Sequence, residues 1–208
     1  MKITDRDALI VVDIQNDFCP GGALPVAHGD ETIPVINRLT PRFFHVVMTQ
    51  DWHPAGHLSL ASSHPDAQPF STVKVDYGEQ TLWPDHCVQG SYGAAFHEDV
   101  DLTMAQLILR KGFRREIDSY SAFRENDRTT KTGLAGYLHE LGVQRIFLAG
   151  LAYDYCVRHS AVDARWEGFE AVVIEDACRA INLENSVEKA RSEFSTWGVE
   201  QMTVKELV

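Results

Sequence analysis

The sequence predicts an α/β protein: a parallel sheet covered by helices on both faces. Three observations lead there. Short apolar runs of strand length recur along the 208 residues, amphipathic helical stripes fall between the later runs, and ionisable residues stand where the runs end. Hydrophobic residues make up 44% of the chain and charged residues 24%, ordinary for a soluble globular protein. No repeat, low-complexity tract or Gly/Ser linker divides it, so residues 1–208 are read as a single domain.

The first run is Ala8–Asp13, five apolar residues closed by an aspartate, the pattern of a strand buried on both faces. His45–Thr49, Gln106–Arg110, Arg145–Ala149 and Glu170–Ile174 read the same way, and Val199–Val204 is a weaker sixth. Leu134, Tyr137, Leu138 and Leu141 form one helical stripe, with Gly142 placed to end it. Asp154–Trp166, followed by Gly168, and Leu183–Thr196, followed by Gly198, supply two more helices. The alternation breaks from Asp51 to about Val100, a stretch holding five of the nine histidines. So long an irregular insertion in a compact domain is usually functional.

A net charge of −11 argues against a nucleic-acid partner, which needs clustered Lys and Arg. Asp5 and Asp7 interrupt any signal-peptide pattern and the Ala8–Val12 run is too short to span a bilayer, so a cytoplasmic protein with no membrane partner is expected. Cys19, Cys87, Cys156 and Cys178 form no CxxC pair and are expected as free thiols.

The strand ends bring chemistry to one edge of such a sheet. Asp13 closes the first run, Asp51 follows the second, Lys111 the third and Cys156 the fourth. Cys156 stands at a helix start, where the macrodipole favours thiolate and unpaired backbone N–H groups can receive an oxyanion. A lone cysteine is more often a buried small hydrophobe, a lone lysine a surface residue, and an aspartate such as Asp17 a turn or capping residue. The weight lies in three complementary ionisable groups at three parallel strand ends. Lys111 beside a carboxylate and a thiol would hold both ionised.

Asp51 and His53, two apart, share one side of an extended segment, and His57 and His86 follow. A carboxylate with imidazoles suits zinc, iron or manganese, although a polar loop can also carry surface histidines without a metal. His64 and His97 lack matching neighbours. Phe18, Trp83 and Tyr120 either wall a pocket for a flat ring or belong to the core.

Ile10–Phe18, Thr49-Gln50-Asp51-Trp52-His53-Pro54 with His57, Trp83–Gly90, Lys111-Gly112 and Asp154-Tyr155-Cys156-Val157 occur in an order that resembles the nicotinamidase/pyrazinamidase branch of the isochorismatase-like hydrolases. The resemblance implies a three-layer α/β/α sandwich with a mostly parallel central sheet and a metal-binding loop insertion at about 51–100. It implies hydrolysis of nicotinamide, and of pyrazinamide, with Asp13 as general base and acid, Lys111 as electrostatic partner and Cys156 as nucleophile. Asp51, His53 and His86 carry over as ligands of one divalent metal ion, with His57 as a further ligand and no organic cofactor. Ala152 and Cys156 match the oxyanion hole, the Leu151–Ala152 bond a cis peptide, and Phe18 and Trp83 the pocket. Tyr153, where a small threonine or serine is often found, departs from the pattern and is taken with Tyr120 as a pocket residue. The expected partner is the small-molecule substrate, with homo-oligomer formation left open. Three other readings remain: a sister enzyme acting on a carbamoyl or ureido amide, a metallohydrolase with Cys156 structural, and a non-catalytic protein on an inherited fold.

Overall fold

Apolar side chains on both faces of the central strands gather the chain into a six-stranded parallel sheet, seen in a computed structural model that describes residues 1–207. In chain order the strands are β1 (Asp7–Val12), β2 (His45–Asp51), a separate antiparallel hairpin of β3 (Thr72–Val75) and β4 (Gly78–Thr81), then β5 (Leu107–Lys111), β6 (Arg145–Leu151), β7 (Glu170–Arg179) and β8 (Glu200–Met202). Their order across the main sheet is β5-β2-β1-β6-β7-β8. Among the described residues no helix is long and apolar enough to cross a membrane.

The pleat of β1 divides the core in two. Leu9 and Val11 face one side, where they pack with Met48, Phe147 and the buried face of α1 (Ile33–Leu39). Ala8, Ile10 and Val12 face the other, against α2 (Leu134–Glu140), α3 (Arg158–Trp166) and α4 (Ser186–Trp197) through Leu138, Ala161, Ala164 and Phe194. The three layers follow from this alternation, and each fully buried Leu or Ile contributes about 1.5–3 kcal/mol to it. Gly142, Gly168 and Gly198 end the last three helices with φ of 74°, 92° and 65°. In each case the next residue returns a hydrogen bond to the final turn, as Val143 N–H does to Leu138 O at 3.0 Å.

All six expected strands are present, several longer than their apolar runs, but β5 is not buried on both faces as expected: it lies at the sheet edge, with Ile108 and Arg110 exposed. β2 continues to Asp51 and β5 includes Lys111, because the two residues are register partners and the parallel ladder holds them despite their polarity. α4 begins at Ser186, after a separate turn at Leu183–Asn185, and α3 is preceded by a wide π turn at Tyr153–Val157. The seven-residue α1 and the β3–β4 hairpin were not expected. The first is short and carries Pro34 in its opening turn; the second lies in the polar insertion with little periodicity.

Gly150 marks the tightest approach of β6 to β1. Its φ is 119°, and a methyl group on its Cα would overlap the carbonyl oxygen of Val12, its register partner. Gly150→Ala is therefore expected to destabilise the protein by more than about 1 kcal/mol, whereas Gly136→Ala, on the open face of α2 with no atom within 4 Å of the new methyl, should be neutral or stabilising. Thermal unfolding of the two variants checks both signs.

Candidate active site

From β1 the chain moves outward to β2 and then β5, and later returns to the opposite flank of β1 as β6. This reversal opens a crevice at the carboxyl ends of the strands. Asp13 follows β1, Asp51 and Lys111 end β2 and β5 side by side, and Cys156 lies in the turn after β6. All four are buried.

Lys111 is the hub. Its Nζ lies 2.8 Å from Asp13 Oδ2, donates to Asp51 Oδ1 and to Ser119 O (3.0 Å), and stands 3.4 Å from Cys156 Sγ. Asp13 has a φ of 49°, and its Oδ1 accepts a 2.6 Å hydrogen bond from the Thr49 hydroxyl. Oδ2 faces the ammonium but has no directed hydrogen bond. An oxygen of Asp13, an oxygen of Asp51 and the Cys156 sulfur all lie within 4.8 Å of one another. Burial alone would lower the Lys111 pKa, but the charges of Asp13 and Asp51 outweigh it and hold the ammonium well above its usual range. Burial pushes the Asp13 carboxyl up against the opposing pull of Lys111.

Burial acts against the pull toward thiolate expected from the helix start and Lys111. Burial raises the Cys156 thiol well above its ordinary value, the nearby carboxylates add to the rise, and Lys111 only partly opposes it. Burial and the carboxylates thus favour the proton on sulfur, with Asp13 close by as a proton acceptor. Such an arrangement can move a proton from sulfur to carboxylate when a reacting carbonyl arrives.

Beside this cluster, Asp51 Oδ2 lies 3.7 Å from His53 Nε2 and 3.9 Å from His86 Nε2. Each ring holds its other nitrogen against a backbone carbonyl, His53 Nδ1 at Gly112 O (2.9 Å) and His86 Nδ1 at Pro84 O (2.8 Å). That pairing places the proton on Nδ1 and leaves both Nε2 lone pairs pointing toward one carboxylate oxygen, as a cation site requires. Burial, first among the causes, lowers both imidazoles to about 4, so they are neutral near pH 7. Gly112 makes room for this arrangement: with φ at 64°, any side chain there would run into the His53 ring. The carboxylate and imidazole donors fit a divalent ion.

His57 does not join that trio. Its ring lies 4.3 Å from that of His53, but Nδ1 meets the Ser59 hydroxyl at 2.8 Å and Nε2 meets Ile117 O at 3.2 Å. It groups instead with His53 and Asp118. His64 and His97 stay outside both groups.

The crevice is partly open to solvent. Phe18, Trp83 and Tyr120 line it, as do Ala152 and Cys156, while Asp51, His53 and His86 border it. Trp83 donates Nε1–H to the Tyr120 hydroxyl at 3.2 Å, which fixes both rings. Tyr153 is a correction. Ala152 leaves β6 in extended backbone and faces the cleft, so Tyr153 turns to the other side, where it packs edge-on against Phe194 and donates its hydroxyl to Gln201 Oε1 at 2.7 Å. Tyr155 takes the place on the wall, 5.0 Å from Trp83 between ring centroids.

Asp118, Leu24 and Ile181 also line the cleft and were not singled out in the sequence. Neither were Thr49 and Gln15, although both stand in the quoted motifs. The buried amide of Gln15 accepts the Asp51 N–H and donates to the Asp51 carbonyl, each at 2.8 Å, clamping the end of β2. Asp17 is the turn residue it resembled: its carboxylate accepts the N–H groups of Ala23 and Cys87 and joins the Phe18 loop to the His86 loop. The Leu151–Ala152 peptide bond is cis.

Comparison with known proteins agrees with this geometry. The chain is 50% identical to a nicotinamidase of Acinetobacter baylyi, covering all of this chain and 97% of that one. Its structure resembles that of a nicotinamidase/pyrazinamidase of Acinetobacter baumanii, with a TM-score of 0.97 and 51% identity over 98% of each chain. A pyrazinamidase of Pyrococcus horikoshii, solved in complex with zinc, matches with a TM-score of 0.77 and 37% identity over 95% of this chain and 99% of that one. The model of the isochorismatase domain matches residues 7–206, and the chain belongs to that family.

Proposed function

We propose that this protein is an amidohydrolase that converts nicotinamide to nicotinate and ammonia, a step of NAD salvage, and that it also accepts pyrazinamide. The carrying observation is a buried thiol, carboxylate and ammonium in mutual reach, opening on an aromatic cleft beside a cation-ready trio. The full-length likeness to nicotinamidases supports the substrate.

Asp51, His53 and His86 would hold one divalent ion, and zinc in the Pyrococcus horikoshii relative supports that choice of group. When bound, the ion supplies a fixed Lewis-acidic anchor beside the ring-binding walls. Phe18, Trp83, Tyr120 and Tyr155 orient a flat ring and bring its carboxamide to Cys156. Asp13 takes the thiol proton as sulfur attacks the carbonyl carbon, and the backbone amides of Ala152 and Cys156 receive the oxyanion. Protonated Asp13 then protonates the departing nitrogen, so ammonia leaves and a thioester remains. Asp13 next takes a proton from water, whose oxygen attacks the thioester, and returning that proton to sulfur frees nicotinate and restores the thiol. Lys111 keeps its charge throughout and steadies each anion as it forms.

Cys156→Ala should lower kcat for nicotinamide at least about 10⁴-fold, measured by ammonia release. A near-normal rate in that variant would return Cys156 to a structural role.

Lys111→Ala and Asp13→Asn separate two ways of losing activity. Without the ammonium the Cys156 pKa rises further, so iodoacetamide labelling at that residue should shift to higher pH in Lys111→Ala. Asp13→Asn should stay inactive at every pH, because an amide cannot carry the proton. An unchanged labelling profile in Lys111→Ala would assign the lysine to positioning alone.

Elemental analysis of protein purified without chelator should find about one divalent ion per chain. The His53→Ala, His86→Ala double variant should lose it, and full metal content in that variant would place the ion elsewhere.

A further inference from the structure

One wall of the cleft comes from a segment that takes no part in the chemistry. Ile181 lies between β7 and α4, half-buried, and lines the pocket near Cys156 and Tyr155. The backbone that follows it is unusual: Asn182, Glu184 and Asn185 have φ of 57°, 49° and 61°. Asparagine tolerates left-handed backbone, but Glu184 does so at a cost, and a run of three within four positions is steadied by contacts from outside the segment.

The hold comes from the turn of Cys156 itself. Asp154, fully buried and two residues before the cysteine, accepts hydrogen bonds from Ile181 N–H at 3.0 Å, from Asn182 N–H at 2.7 Å and from the Ser186 hydroxyl. One carboxylate thus ties both ends of the segment to the backbone that carries the sulfur. The ladder reinforces the link, since Arg179 at the end of β7 pairs with Leu151, next to Ala152. Ile181 is therefore fixed in relation to Cys156 rather than left to the mobility of a surface loop.

We propose that Ile181, held in place by the Asp154 latch on residues 181–186, is the size filter of the pocket and sets which ring-substituted aromatic carboxamides reach Cys156; this rests on the amidohydrolase reading above. A branched aliphatic side chain beside aromatic walls offers neither a hydrogen bond nor a stacking face. Its effect on a substrate is excluded volume, and Asp154 acts as a positioning residue through it.

The test compares kcat/KM for nicotinamide with that for nicotinamides methylated at each free ring carbon, in the parent and in Ile181→Ala, Ser186→Ala and Asp154→Asn. The ratio of methylated to unsubstituted substrate cancels any loss of active protein, which a merely structural defect would cause. Ile181→Ala should raise that ratio about tenfold for at least one methylated substrate, the scale on which an apolar pocket senses a methyl group. Ser186→Ala, which removes one of three hydrogen bonds, should raise it about threefold for the same substrate. Asp154→Asn should exceed Ser186→Ala; if it does not fold, the other two variants decide. Ratios within about twofold of the parent in both would overturn the filter. Site-resolved alkylation of Cys156 by iodoacetamide and by the bulkier N-ethylmaleimide gives a reading independent of substrate. A parent enzyme that hydrolyses no pyridine carboxamide would end the proposed function. The filter would then stand on a rise in the relative maleimide rate in Ile181→Ala and fall on an unchanged one.

Discussion

A single buried ammonium holds the active site together. Taking the charge of Lys111 out of water costs several kcal/mol, and the protein answers with two carboxylates, a backbone carbonyl and a sulfur around one nitrogen. The sheet has to deliver those groups from strands far apart in sequence. β2 and β5 do so by register, placing Asp51 directly beside Lys111, and β1 does so by ending at Asp13 on the next strand over. A slip of one residue in either pairing would turn a charge onto the wrong face of the sheet. The surrounding polar contacts read as insurance against that: Thr49 holds Asp13, and Gln15 grips both backbone groups of Asp51.

The same crowding of charge divides the work among the residues. Asp51 spends one oxygen on Lys111 and presents the other to His53 and His86, so it belongs to both halves of the site. Asp13 keeps one oxygen tied to Thr49 and the other facing the Lys111 ammonium, within reach of the thiol, the posture of a proton carrier rather than a ligand. Burial pushes Cys156 toward its neutral form, against the opposing charge of Lys111.

Most of the sheet was legible because a strand buried on both faces must be apolar throughout, and Ala8–Val12 or Arg145–Ala149 has few other uses. Strand ends were harder to read. Asp51 and Lys111 look like loop residues until the ladder is seen to pair them. The residues now found together at the site were named from motif spacing and resemblance, which preserve identity but not direction. Tyr153 was therefore assigned to the pocket that Tyr155 lines, since neither the extended Ala152 nor the π turn has a sequence signature. The burial that opposes a thiolate at Cys156 was illegible for a related reason: helix position is written locally, whereas burial is a property of the whole fold. Asp118 and Ile181 escaped notice because long-range packing alone brings them to the cleft.

The central place of β1 has a consequence for how the chain is made. Its partner on one side, β6, begins 138 residues later, where Arg145 pairs with Asp7 in the ladder and through its guanidinium. During synthesis β1 emerges well before β6, so half of its hydrogen-bonding edge waits for residues not yet translated. Long-range pairing of this kind slows folding and leaves a flat apolar strand open to the wrong neighbour. The strand that organises the finished enzyme is thus the segment of the nascent chain most in need of shelter, and the route to the folded state passes through its exposure.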